Sequence, residues 1–482
     1  MKSGAIAKVI PGAVIALCAF LLVFWFSSNR KAARVAERAP GQDHRKVSTE
    51  QPEGGQTGAA PPIQTPAPGA APALQTPATT QSTPPPLVPG EWPRFRGADF
   101  SNISSERVTL ATKWAAGAPS ILWALDVGEG HAGAAVSNSR AYILDYDRQA
   151  QADVLRCLAL ADGRELWRYS YPSNLKRNHG MSRTVPAVSG KYVVTLGPRC
   201  NVLCADAETG RPYWMIDLVK DYRTEIPPWY AGQCPVIDGN KAIIAPGGTS
   251  LMIAVDCATG RVLWRTPNPS GWAMTHSSII PMTFKGQKTY VYCGSGGVAG
   301  VSAKDGSILW QNTDWTVKIA NVPSPVVIGE DRIFLSGGYN AGSMMIQLQA
   351  QGGRIAARPV FKLQPGVFGS DQQTPVYYEG NIYGVIPGGQ MACLDPNGKQ
   401  KWSSGSSYRF GLGPYLIADG KILALNDAGV LTIADATPAG FRPLSQFRIL
   451  TGHDCWGPMA LAGGRLIARD LTRMVCVDMV KR

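Results

Sequence analysis

Residues 251–264, LMIAVDCATGRVLW, show the unit from which most of this chain is built. An apolar run that ends at Val255 is followed by Asp256 and Gly260, and then by a second apolar run from Val262 to Trp264. Asp can hydrogen-bond the backbone of its own turn, and Gly adopts a positive φ that residues with a Cβ resist. The stretch therefore predicts a β-hairpin.

The spacing of Gly and Trp in this hairpin recurs along the chain. Four more copies place Trp four residues after Gly, at Gly163/Trp167, Gly210/Trp214, Gly306/Trp310 and Gly398/Trp402. Trp167, Trp214, Trp264 and Trp310 follow one another at 47, 50 and 46 residues. A period of this length that contains only strand-type segments is typical of the four-stranded blade of a β-propeller.

The ends of the chain complement each other. Eight inner hairpins can be recognised but only seven complete outer ones, because Met474 to Asp478 is a third strand with no fourth after it. Ile121 to Trp123 is a fourth strand with no third before it. Pairing the two would leave no open sheet edge. We therefore predict an all-β, eight-bladed propeller over residues 91–482, closed by N- and C-terminal strands in one blade.

The repeated Trp can be explained by packing alone, because a large ring at the same place in successive blades can lie between neighbouring sheets and bury apolar area without any ligand. The structural docking residues predicted on this basis are Trp123, Trp167, Trp214, Trp264, Trp310 and Trp402.

The N-terminal residues have a different character. Val9 to Phe26 is uncharged and near the lower length limit for a membrane-spanning helix, so residues 1–26 are predicted to be an anchor. A cleavable signal peptide is the alternative, but no small-x-small site follows. Residues 27–90 are rich in Pro, Ala and Thr and contain no Phe, Trp or Tyr, which predicts a disordered stalk. Basic residues flank the apolar segment on both sides, so its orientation stays open.

Composition narrows the function classes. The net charge is +13, yet no basic run interleaved with aromatic residues appears, which argues against nucleic-acid binding. Ten cysteines are present, and those after Cys18 mostly stand singly in apolar strand patterns. This usage is that of a small buried hydrophobe rather than of a disulfide framework, and the closest pair, Cys200 and Cys204, is interpreted in the same way.

The repeated pattern A/G-x-D-x-x-x-G-x-x-x-W resembles the tryptophan-docking motif of the quinoprotein-like (PQQ-like) propeller family, and Ala254, Asp256, Gly260 and Trp264 carry it most fully. Trp92 to Gly97, WPRFRG, also resembles the start of a subgroup of bacterial, membrane-attached members. The resemblance implies one of two functions. Some members are periplasmic dehydrogenases that hold pyrroloquinoline quinone and Ca²⁺ on the propeller axis. Others have no cofactor and act as scaffolds, such as the propeller lipoprotein of the outer-membrane assembly machine.

Function is expected in the loops that join one blade to the next, because they emerge on one face and do not repeat. The candidate partner-binding residues on this face are His131, His179, Arg183, Arg223, Trp229, Tyr230, Trp272, His276, Gln372, Arg409 and Trp456. His131, Arg183, His276 and Gln372 have a similar offset from the strand that follows, so they are predicted to ring the channel mouth. Imidazoles from different blades could bind a transition metal, and a polar rim bonded to backbone and water is the alternative.

Two function classes follow. Adjacent cysteines, which many quinoprotein alcohol dehydrogenases carry under the quinone, are absent from this chain, and its loops are short. We therefore expect a non-enzymatic scaffold without catalytic residues, cofactor or metal, anchored in the inner membrane with its propeller in the periplasm and bound to other envelope proteins. The alternatives are a quinone- and Ca²⁺-dependent dehydrogenase and a propeller that binds carbohydrate or another small ligand.

Overall fold

Eight sheets, each with four antiparallel strands, form most of the part of the chain that the computed structural model describes, residues 86–115 and 117–481. The predicted anchor and the stalk up to residue 85 lie outside these residues. No helix within the described ranges is long and apolar enough to cross a membrane.

Blades 1 to 4 follow one another in chain order. Blade 1 contains β3 (Ala135–Ser137), β4 (Arg140–Asp147), β5 (Ala152–Ala159) and β6 (Glu165–Pro172). Blade 2 contains β7 (Ala187–Ser189), β8 (Tyr192–Leu196), β9 (Asn201–Asp206) and β10 (Pro212–Asp217), and the short helix α1 (Leu218–Tyr222) follows. Blade 3 contains β11 (Val236–Asp238), β12 (Lys241–Ile244), β13 (Ser250–Asp256) and β14 (Val262–Pro267). Blade 4 contains β15 (Ile280–Phe284), β16 (Gln287–Gly294), β17 (Gly297–Ser302) and β18 (Ile308–Asn312).

The later blades include the two N-terminal strands. Blade 5 contains β19 (Val326–Ile328), β20 (Arg332–Gly337), β21 (Gly342–Gln351) and β22 (Arg354–Leu363). Blade 6 contains β23 (Val376–Tyr378), β24 (Asn381–Val385), β25 (Met391–Leu394) and β26 (Gln400–Ser403). Blade 7 contains β27 (Tyr415–Ala418), β28 (Lys421–Leu425), β29 (Val430–Asp435) and β30 (Pro443–Arg448), with β1 (Ile103–Ser104) added in parallel to β27. Blade 8 contains β31 (Ala460–Ala462), β32 (Arg465–Arg469), β33 (Arg473–Asp478) and β2 (Ile121–Asp126).

The ring closes in blade 8 as predicted. Strand β2 pairs antiparallel with β33 in the order β2-β33-β32-β31, and Trp123 lies opposite Cys476. On the inner side, β31 contacts β3 of blade 1, and the same kind of contact joins β3 to β7 and β7 to β11. The first strand of each blade therefore faces the central channel, and the eight-bladed architecture is confirmed.

A series of hydrogen bonds links blades 2 to 6 around the channel, two residues before the first strand of each blade. The Val185 amide donates to Cys234 Sγ at 3.3 Å, and the Cys234 amide donates to Ser278 Oγ at 2.9 Å. The Ser278 amide donates to Ser324 Oγ at 3.0 Å, and the Ser324 amide donates to Thr374 Oγ1 at 2.9 Å. Because each amide and hydroxyl here is buried, these bonds satisfy groups that would otherwise destabilise the inner wall.

The docking tryptophans contact the next blade. The indole of Trp123 donates to the Leu160 carbonyl and that of Trp214 to the Cys257 carbonyl, both at 2.9 Å. The rings of Trp123, Trp167, Trp214 and Trp264 also lie over the turn glycine of the following blade, so that a Cβ at Gly210 would come within 2.4 Å of the Trp167 ring. Across their own hairpins four of the rings face a thiol, which accounts for four of the cysteines: Cys157, Cys204, Cys393 and Cys476. All nine described cysteines are buried and free, as the sequence predicts.

Replacing Gly210 with Ala tests the docking role. Gly210 has φ +74°, so Ala would be strained by roughly 1 kcal/mol, and its methyl would push the Trp167 ring at a further cost of about 1–3 kcal/mol. Gly239→Ala is the matched control, because Gly239 has φ +62° and nothing lies within 4 Å of its Cβ position. We expect urea denaturation to show a clearly larger loss of unfolding free energy for Gly210→Ala. Equal losses would mean that the ring contact contributes nothing.

An N-terminal strap, residues 88–111, crosses the channel, and the sequence did not predict this path. Its Trp92 pairs with Val136 of β3, the Arg94 guanidinium donates to the Ile237 carbonyl of β11, and β1 pairs with β27. The strap therefore contacts the inner strands of blades 1, 3 and 7. It begins where Ser139 Oγ, in the β3–β4 turn, accepts a hydrogen bond from the Val88 amide at 2.8 Å.

The propeller thus has two distinct faces. The turn face carries the tight turns inside the hairpins, where the strap begins. The loop face carries the connections from the fourth strand of one blade to the first strand of the next, and every candidate residue of the sequence analysis lies there.

Candidate functional site

One register position recurs at the channel mouth, four residues before the first strand of each blade. In blade order its occupants are His131, Arg183, Gly232, His276, Val322, Gln372, Gly411 and Trp456. Adjacent occupants touch: the rings of His131 and Trp456 stack with centroids 5.1 Å apart, and a Cβ at Gly232 would lie 2.6 Å from the His276 ring. Residues at this shared offset in adjacent blades therefore lie side by side at the channel mouth.

Five side chains form a continuous series at this mouth, which we call the mouth arc: Trp456, His131, Arg183, Trp229 and His276. His131 Nε2 and Arg183 Nη2 both lie 3.0 Å from the same acceptor, the His179 carbonyl. Arg183 Nε donates to the Trp229 carbonyl, and the Trp229 ring lies 6.2 Å from the His276 ring. The arc thus extends from blade 8 to blade 4 without a gap.

Arg183 is the charged centre of the mouth arc. Besides the carbonyls of Trp229 and His179, it donates to the Asn178 carbonyl at 2.8 Å, so its side chain is held in one orientation. These bonds use Nε and Nη2 and leave Nη1 without a protein acceptor among the described residues. Burial lowers the pKa of Arg183 to about 10, which still keeps it charged at neutral pH. Backbone carbonyls alone do not neutralise a guanidinium, so the arc carries a positive charge without a bound carboxylate.

The two imidazoles of the arc are buried and neutral. Burial, followed by the charge of Arg183, lowers the pKa of His276 to about 4 and holds the pKa of His131 well below its usual range. Only 6% of His131 and 7% of His276 is exposed. His131 Nδ1 and His276 Nε2 have no hydrogen-bond partner among the described residues. A buried polar atom without a partner is costly, so these two nitrogens point to a ligand or an ordered water at the arc.

Neighbouring loops brace the arc. The Tyr230 hydroxyl accepts a hydrogen bond from the Lys176 amide at 2.9 Å and donates to the Lys176 carbonyl at 2.6 Å, which ties the loop after β6 to the loop after β10. Trp229, Tyr230 and His179 have φ of 61°, 73° and 51°, a region that residues other than Gly rarely adopt. Such backbone strain persists only where surrounding contacts impose it, as at binding sites.

The remaining predicted residues lie apart from the arc. Trp272 is buried under the β16–β17 turn, where a Cβ at Gly296 would come within 2.1 Å of its indole nitrogen, so it does not form part of the exposed face as expected. Arg223 is exposed at the end of α1 with φ 57°. Gln372 and Arg409 belong to the loops before β23 and β27, and no hydrogen bond or ring contact joins them to the arc within the described residues.

Sequence reasoning missed several polar groups near the arc. Ser182, Ser277 and Asn321 are buried, and their side chains have no hydrogen-bond partner among the described residues. Each lies within one residue of the shared register position, so the same offset rule could have found them. Arg469 of β32 is also buried and donates to the Ala132, Gly128 and Leu471 carbonyls. Its signal in the sequence is an arginine directly after the apolar run from Leu466 to Ala468.

The far end of the arc is acidic. Asp427 accepts hydrogen bonds from the Trp456 indole and from the Leu412 amide, both at 2.8 Å. Burial raises the pKa of this carboxyl. Among the described residues no three His, Cys, Asp or Glu side chains are close enough to share a metal ion. The arrangement is therefore suited to hydrogen bonding and charge recognition.

Comparison with known proteins gives the same fold. Residues 150–374, just under half of the chain, match the family model described as outer membrane protein assembly factor BamB. No curated protein matches the chain in sequence. The crystal structure of BamB from Moraxella catarrhalis is similar over 75% of this chain and all of that chain, with a TM-score of 0.53 and 13% identity.

Two other structures have the same architecture. A europium-containing methanol dehydrogenase is similar over 79% of this chain and 89% of that chain, with a TM-score of 0.54 and 12% identity. The computationally designed Ika8 protein covers 74% of this chain with a TM-score of 0.50 and 10% identity. At such identities these likenesses concern the fold alone. Together with the repeated hairpins and the family-model match, they show an eight-bladed β-propeller whose repeats are similar to those of the quinoprotein-like (PQQ-like) family.

Proposed function

We propose that this propeller is a protein-interaction scaffold of the bacterial envelope that takes part in outer-membrane protein assembly. The supporting observation is the mouth arc, which presents half-buried Trp229 and Trp456 around a fixed guanidinium. Tyrosine, tryptophan and arginine held in place are the residue types that dominate binding energy in protein interfaces. The family match to an assembly factor supports the finer assignment.

The quinoprotein alternative does not fit the donors at the mouth. Ca²⁺ takes six to eight oxygen ligands, usually with several carboxylates among them. The arc instead supplies imidazole nitrogens and a guanidinium, and the nearby Asp427 is already bonded to Trp456 and Leu412. The donors of the mouth arc therefore do not suit a Ca²⁺-bound quinone. Incubation with quinone and Ca²⁺ checks this, and bound quinone with dye-linked alcohol oxidation would overturn the scaffold proposal.

Site-specific photo-crosslinking in intact cells tests the scaffold. The full chain carries a benzophenone amino acid at Arg223 on the loop face or at Lys285 in the β15–β16 turn on the opposite face. We expect adducts with defined envelope proteins from position 223 only, and weaker adducts when Trp229→Ala is added. Deleting the gene should lower the level of outer-membrane β-barrel proteins. Equal crosslinking from both faces, with unchanged barrel levels, would contradict the proposal.

A further inference from the structure

The mouth arc combines two features that independently point to a ligand. The first is a guanidinium fixed by backbone carbonyls, with Nη1 left over. The second is a pair of imidazoles, each more than nine-tenths buried, with one nitrogen lacking a partner. Since His131 and Arg183 share the His179 carbonyl, both features belong to one small site.

We propose that the mouth arc binds a carboxylate of a partner polypeptide, and that Arg183 recognises it through Nη1. This inference rests on the proposed scaffold function and names the chemistry of the partner. A guanidinium held in one orientation forms strong, directed hydrogen bonds with a carboxylate, and none of its rotamer freedom remains to be lost on binding.

The neighbouring groups suit a peptide rather than a free inorganic anion. A neutral imidazole that donates through one nitrogen accepts through the other, so His131 Nδ1 can take a peptide N–H while His131 Nε2 faces the His179 carbonyl. Trp229 and Trp456 flank the charge with half-exposed rings that can pack on the adjoining residues. Asp427 at the blade 8 end disfavours a second negative charge there, so one carboxylate is expected.

The carboxylate has two possible sources in a polypeptide, an acidic side chain and the chain terminus. Three fluorescent peptides of otherwise identical sequence separate them. The first has one central Glu and an amidated end, the second has Gln with a free C-terminal carboxylate, and the third has Gln and an amidated end. Fluorescence polarisation with the wild-type full chain is expected to show binding of one of the first two at least about tenfold tighter than of the third.

Protein variants locate the site. Arg183→Gln should abolish the preference for the carboxylate peptide, and Arg183→Lys should keep less than half of the binding because an ammonium cannot reproduce the carbonyl contacts. Arg199→Gln is the matched control, since Arg199 is an exposed arginine of the β8–β9 loop on the same face. This variant should bind the carboxylate peptide as tightly as the wild type.

Histidine NMR with the wild-type chain gives a readout that does not depend on any variant folding. The carboxylate peptide should shift the ring signals of His131 and His276, while the signal of His44, in the predicted stalk, stays in place. Equal affinity for all three peptides, or equal shifts with sodium chloride at the same ionic strength, would overturn the carboxylate site. Face-specific crosslinking could persist in that case, so failure of this inference is distinguishable from failure of the scaffold.

Discussion

Deleting residues 121–126 is expected to lower the melting temperature by more than about 10 °C and to make the protein prone to aggregation. These residues are β2, the fourth strand of blade 8, and their removal leaves β33 as an unpaired edge. The deletion also removes the Trp123 ring, which is 6% exposed and donates to the Leu160 carbonyl of blade 1. The propeller would thus lose both a strand of blade 8 and the tryptophan contact that holds blade 8 to blade 1.

Two point variants divide this loss. Trp123→Ala keeps the strand but removes the ring, at an expected cost of about 3–5 kcal/mol. Ile121→Ser changes a side chain that is 51% exposed and should leave the melting curve within about 1 °C of the wild type. Differential scanning calorimetry with size-exclusion chromatography provides the measurement. A deletion variant that melts like the wild type would show that blade 8 does not depend on β2.

Repetition explains what could be predicted. The blade number, the closure and the docking tryptophans follow from a pattern that occurs many times, so an error in one copy does not change the conclusion. The shared position at the channel mouth could also be predicted from the sequence, because His131, Arg183 and His276 each lie four residues before the first strand of a blade. The stacking of His131 on Trp456 follows from the same register.

Single-copy features were not predictable in this way. Trp229 and Trp272 both lie in loops that lead to a first strand, yet one is half-exposed and the other is buried. The difference arises from another hairpin, where Gly296 leaves room for the Trp272 ring. Likewise, the absence of a side chain at Gly232 lets the His276 ring approach the register position of blade 3, and the Trp229 ring, at a left-handed backbone position, lies 6.2 Å from that imidazole. Neither effect is visible in the spacing of the residues concerned.

The strap is the clearest case, and Arg96 is its centre. Its guanidinium is 3% exposed and donates to the Phe100 carbonyl at 2.8 Å, the Thr374 carbonyl at 3.1 Å, and the Ser101 and Pro375 carbonyls at 3.0 Å. Burial lowers its pKa to about 10, so it remains charged at neutral pH. One side chain therefore joins the turn of the strap to blade 6. Within the described strap, Arg96 is the charged residue that bonds to this blade.

Arg96→Met is expected to cost about 3 kcal/mol of unfolding free energy, because two buried and two part-buried carbonyls lose their donor while the apolar stem is retained. Removing a buried charge offsets part of this loss, which is why the estimate is below the sum of the separate bonds. Arg94→Met is the control: Arg94 is half-buried in the same strap, makes one bond of 3.2 Å to the Ile237 carbonyl, and should cost less than about 1 kcal/mol. Hydrogen exchange of the Val136 amide, which donates to the Trp92 carbonyl, reports whether the strap detaches. Faster exchange in Arg96→Met alone would show that this guanidinium holds the strap in the channel, whereas equal stability of the two variants would assign that role to Trp92 and β1.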